Sequence, residues 1–124
     1  MALHLDLHGL HPRAVAGSAV FAALAGLALW PPRAVYWTRV AAVVGDAVTL
    51  AVVATLALAL GMAFATLADV AVAPFAVGGL VAYAVGMVAI EAWLAPDSPV
   101  HLVGYGALLA CLVCGVALRA WYAG

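Results

Sequence analysis

A chain of 124 residues that is 70% hydrophobic and only 7% charged, with a formal net charge of −1, is not composed like a soluble domain, where roughly a quarter of the residues are charged. No basic footprint exists for phosphate neutralisation, so nucleic acid is excluded as a partner. The length allows one domain of about four apolar spans of roughly 20 residues each, and no second domain.

Residues 1–13 form an N-terminal tail in which Leu3, Leu7 and Leu10 would make one helical stripe, with His4, His8 and His11 on the stripe beside it. As a strand, His4, Asp6 and His8 share one side. His4, Asp6, His8 and His11 are therefore weak candidates for a divalent metal site. The plainer reading is a titratable interfacial tail, and no resident metal or cofactor is expected. Gly9 and Pro12 argue for a break before the first span.

The first helix is expected over about 14–30, ended by Pro31 and Pro32. Ala22 and Gly26 are four residues apart, a small-residue pair that lets another helix approach closely. Ala23-Leu24-Ala25 before Gly26 resembles a signal-peptidase site, but a retained helix is preferred. The second helix is expected over 36–66, with Tyr36 and Trp37 at headgroup level and Arg39 and Asp46 inside one apolar run. Seven residues separate those two groups, so a continuous helix would hold them on one face about 10 Å apart. Asp46 would then lie two turns deep.

The third helix, about 70–94, carries Pro74 in its first turn, where a missing N–H costs least. Its small-residue face is Gly78, Gly79, Ala82 and Gly86, and Glu91 and Trp93 mark its exit. The fourth, about 99–121, carries Ala107, Cys111 and Gly115 at four-residue steps and leaves through Arg119, Trp121 and Tyr122. All four tryptophans fall at expected membrane edges.

Cys111-x2-Cys114 resembles the helix-borne cysteine pair of vitamin K epoxide reductase-like membrane enzymes. That family also passes electrons through a second, loop-borne pair, and this chain has no other cysteine. The pair therefore reads as small packing residues. Tyr36-Trp37-Thr38-Arg39 resembles the arginine-bearing helix of microbial rhodopsins, but without a lysine no retinal Schiff base can form.

Four spans would bring Arg39, Asp46, Glu91 and His101 into one half of the bilayer. Ionisable groups there are expensive unless paired or wetted, so this polar cluster is the candidate site. The expectation is an all-α, integral membrane four-helix bundle comprising one domain, 1–124. It would be a non-enzymatic structural or assembly subunit in the cell membrane, contacting lipid and either itself or another membrane protein. The alternative is a small proton- or ion-coupled channel or transporter using Asp46 and Glu91. Arg13 and Arg119 against Arg33 favour cytoplasmic termini, while counting Arg39 as a loop residue ties the score.

Overall fold

With almost no polar side chains to compete for backbone groups, the chain satisfies its own amides in helices. The computed structural model describes residues 11–30, 41–93 and 100–123, with no strand among them. They form α1 (Pro12–Leu29), α2 (Asp46–Ala68), α3 (Val72–Trp93) and α4 (Val100–Ala123). All four are long and apolar enough, by length and composition, to cross a membrane.

The helix ends have local causes. Pro12 opens α1 within its first turn, where its fixed φ suits a helix and its missing N–H is no loss. At the other end of α1, the Trp30 N–H donates to the Gly26 carbonyl at 2.8 Å. α2 ends at Asp69, which adopts the left-handed conformation (φ 53°, ψ 51°) and donates its N–H to the Ala65 carbonyl. Asp is among the few non-glycine residues that enter this region readily, and the turn delivers the chain directly into α3.

The second helix corrects the expectation of one continuous helix from 36 to 66. Residues 41–44 are helical, but Gly45 has φ 92° and ψ 160°, a conformation open essentially only to glycine. Its N–H still bonds to the Ala41 carbonyl at 2.8 Å, while its own carbonyl accepts both the N–H (3.1 Å) and the hydroxyl (2.8 Å) of Thr49. One helix therefore stops and another starts at a single residue. Asp46 becomes the first residue of α2 and is exposed, instead of lying two turns inside a span.

The helices pack in an order different from their order along the chain. α2 lies chiefly against α4 and α1 chiefly against α3, α3 joins the two pairs through α4, and α2 and α3, despite their short connection, meet through the rings of Phe64 and Phe75 without close backbone approach. α2 and α4 run in the same direction, since Gly61 sits against Leu112 and, further along both, Asp69 meets Arg119. α3 and α4 run oppositely, with Gly79 against Leu109, Tyr83 reaching Leu102 and Glu91 reaching His101. α1 begins beside Gly78 and ends where Tyr105 contacts Trp30, so it parallels α3. The helices thus alternate in direction, and α1 starts at the end of the bundle where α4 finishes.

Small residues set the spacing. A Cβ on Gly115 would fall 2.1 Å from the Leu58 carbonyl oxygen, one on Gly61 2.2 Å from that of Leu112, and one on Gly78 2.4 Å from that of Val15. Backbone therefore lies against backbone in both main pairs. The buried face of α2 is Thr49, Val53, Ala57, Gly61 and Ala65, one residue in every four. Near the α2–α3 turn the pairs are joined by three rings, with Phe21 stacked on Phe64 at 4.2 Å between centroids and Phe75 tilted against both at 6.3 and 5.8 Å. Phe75 is fully buried.

Gly115→Ala must push α2 and α4 apart, and we expect it to destabilise the fold by about 1–3 kcal/mol. Gly17, whose Cβ would meet nothing within 4 Å, is the control, because alanine there should stabilise by up to about 1 kcal/mol through helix propensity. Thermal unfolding in detergent should move the two variants in opposite directions.

Candidate functional site

The polar groups collect at the two ends of the bundle. At one end, Glu91 lies in the last turn of α3 and His101 in the first turn of α4, with Nε2 of the histidine 3.0 Å from Oε1 of the carboxylate. The contact has ion-pair distance without the alignment of a directed hydrogen bond. The histidine side chain is only 11% exposed and that of Glu91 56%, so the pair points from the helix interface outward. The Tyr83 hydroxyl donates to the Leu102 carbonyl at 2.8 Å, and that of Tyr105 donates to the Trp30 carbonyl. These contacts tie together α1, α3 and α4, the helices that meet at this end.

Of the expected four-group cluster, the structure brings Glu91 and His101 together. Asp46 lies at the same end of the bundle, but at the start of α2, whose ring contact with α3, Phe64 on Phe75, lies toward the opposite end. Its carboxylate complements the positive end of the α2 dipole, and among the described residues it has no hydrogen-bond or ion-pair partner. Arg39 lies outside the described residues, as do His4, Asp6 and His8. His11 is exposed just before α1, and no group of three potential metal ligands occurs among the described residues.

The expected packing residues divide. Ala22, Gly26, Gly78, Gly79 and Gly115 are buried between helices, and Ala82 and Cys111 are half-buried. Gly86 is half-buried with open space where its Cβ would stand, and Ala107 is exposed. Cys111 and Cys114 are both free thiols. Sequence reasoning missed Gly61, whose signal is the four-residue spacing Ala57, Gly61, Ala65, and it missed Ser18, fully buried beside Gly78. It also left Asp69 and Arg119 unpaired, although their side chains meet at 3.0 Å at the opposite end of the bundle. That pair depends on the parallel register of α2 and α4, which no local pattern announces.

Both ion pairs include a well-exposed carboxylate, since the Asp69 side chain is 86% exposed. Double-mutant cycles, Glu91→Gln with His101→Leu and Arg119→Gln with Asp69→Asn, should therefore give couplings of about 1 kcal/mol or less. The Arg119–Asp69 coupling should shrink further on raising salt to 1 M. Couplings well above that scale, read from thermal unfolding, would contradict the exposed placement of the two carboxylates.

No protein family matches this chain, and neither a curated protein nor a solved structure does.

Proposed function

We propose that this chain is a multi-pass integral membrane protein, a non-catalytic assembly subunit that packs laterally against copies of itself. The membrane half of the reading is supported by four long apolar helices whose outer surface is itself apolar. The closest approaches between helices fall at small residues, as at Gly61, Gly78 and Gly115, and Leu24, Leu67, Val85, Val88 and Val103 are exposed. In water such a surface would be an aggregation patch. In hydrocarbon it is the appropriate solvent-facing layer, and small interhelical residues then supply the attraction by close packing. Trp93 at one end and Trp121 and Tyr122 at the other are exposed, as interfacial aromatics are.

One observation carries the assembly half. On α2, Ala47, Ala51, Thr55, Ala59 and Ala63 are all exposed, a second stripe of one small residue in every four. It lies about 200° around the helix from the buried stripe. The buried stripe has the same spacing and receives α4 at backbone contact. A second α2 could approach the outer stripe in the same way. The transport alternative draws less support, because it needs Asp46 and Glu91 on one wetted path, and Asp46 is exposed at the start of α2 while the ring contact of α2 with α3, Phe64 on Phe75, lies toward the opposite end. The shared end of Arg13 and Arg119 faces the cytoplasm in this reading.

Native mass spectrometry from mild detergent should find a multimer that Ala51→Leu with Ala59→Leu converts to monomer without lowering the midpoint of thermal unfolding. A wild-type protein that is strictly monomeric in both detergent and nanodiscs would remove the assembly reading. A cysteine placed at residue 123 should react with impermeant reagent only from the cytoplasmic side, and labelling from outside would reverse the orientation.

A further inference from the structure

We infer that the cleft enclosed by α1, α3 and α4 is a binding site for one acyl chain of a membrane lipid whose headgroup carries an ammonium. This rests on the membrane reading above. The cleft has a volume of about 210 Å³, larger than the roughly 150 Å³ apolar cavity that accepts benzene. Its floor and walls are small or aliphatic, including Ala22, Gly26, Ala82, Gly86, Ile90 and Leu109. The two polar side chains on its lining, Tyr83 and Tyr105, spend their hydroxyl protons on the carbonyls of Leu102 and Trp30. A polar occupant would find no free donor and would lose its own hydrogen bonds on entry. Hydrocarbon fits.

Gly86 indicates that the room is retained. Glycine within a helix costs about 1 kcal/mol relative to alanine, and glycines that earn their place by close packing, such as Gly61 and Gly115, have backbone against them. Gly86 has nothing within 4 Å of where its Cβ would be. Among the described residues no helix contact requires it; the same holds for Gly17, but Gly86 lines the cleft, and its missing side chain keeps that room open. In lipid an unfilled groove of this size forfeits dispersion contacts on all its walls, and the surrounding acyl chains are the material at hand to fill it.

The headgroup assignment comes from the mouth. The cleft occupies the half of the bundle that ends at Trp30, Glu91 and His101. Met87, on its lining, also borders a shallow open depression formed with Val88, Glu91 and Ala92. Among the described residues lining that depression Glu91 is the one charged group, half-exposed beyond its contact with His101 and one residue beyond Ile90. A chain seated in the cleft would leave its headgroup beside that carboxylate. An ammonium complements it, while a headgroup of net negative charge does not.

The test uses the full-length protein in detergent, offered phosphatidylethanolamine or phosphatidylglycerol with identical acyl chains and read by native mass spectrometry. The wild type should retain one lipid per chain, with phosphatidylethanolamine favoured about threefold, the scale of an exposed ion pair. Glu91→Gln should erase that preference and keep the lipid. Gly86→Leu, whose Cβ would stand in open space on the cleft lining, should lower retention of both lipids about tenfold. Ala23→Leu narrows the same cleft from α1 and should do likewise, should Gly86→Leu prove unfolded by circular dichroism. Unchanged retention in a folded cleft-filling variant would overturn the site, and equal retention of the two lipids by the wild type would overturn the headgroup assignment. A lipid-free oligomer that Gly86→Leu dissociates would also overturn it, by placing a second copy in the cleft. The same spectra separate this from the assembly reading: a monomer holding one lipid sinks assembly alone, and an oligomer holding none sinks the lipid site alone.

Discussion

The bundle depends on how closely two pairs of backbones can approach. Where α2 meets α4, Gly61 and Gly115 face carbonyl oxygens across a gap with no room for a methyl group, and Gly78 does the same for α3 against α1. Such contacts matter most where the solvent is itself apolar, because burying a leucine then gains little over leaving it in hydrocarbon. Attraction instead comes from many short dispersion contacts and weak Cα–H···O interactions, each small and all lost together if the helices part. This explains why the closest approaches fall at glycine, while larger buried side chains such as Phe75, Leu112 and Val116 fill the space elsewhere between the helices.

Close parallel pairing also explains the distribution of charge. Because α2 and α4 run together, the left-handed turn at Asp69 and the exit of α4 at Arg119 arrive at one level and can pair. Because α3 and α4 run oppositely, Glu91 and His101 arrive together at the other end. Among the described residues, each charged side chain thus stands within about a turn of a helix end, and none is stranded in the middle of a span. Neither pair is buried enough to hold the fold by itself, so they work as end markers that agree with a register already set by glycine.

Much of this could be read from the residues. Composition and the four apolar runs are enough for four long helices, and the small-residue spacing at Gly26, Gly78, Gly79 and Gly115 pointed to positions that are buried between helices. What the residues do not announce is which helix faces which. A four-residue repeat of small residues makes any two helices compatible, and α2 carries two such faces, one used within the chain and one exposed. The candidate site was legible in part for the same reason. Glu91 and His101 are close in sequence across one connection and meet, whereas Asp46, although α2 packs along α4, is exposed at the start of its helix and has no hydrogen-bond or ion-pair partner among the described residues.

The break at Gly45 shows how a single backbone conformation changes the chemistry assigned to a side chain. A helix running unbroken from residue 36 to Ala68 would be about 50 Å long, well beyond a hydrocarbon core of about 30 Å. In the membrane placement proposed above, it would have to tilt strongly or deform the bilayer. With the break, α2 is 23 residues, close to the 22 of α3 and the 24 of α4, or about 33–36 Å each. Three spans of matched length can stand together with little tilt, and the residue at the break need only be able to take a positive φ, which glycine does without strain. Asp46 then falls at the start of a span, where a carboxylate is favoured by the helix dipole and needs no buried partner. The feature that made it look like a site in the sequence, a charge deep in an apolar run, is thereby turned into a boundary.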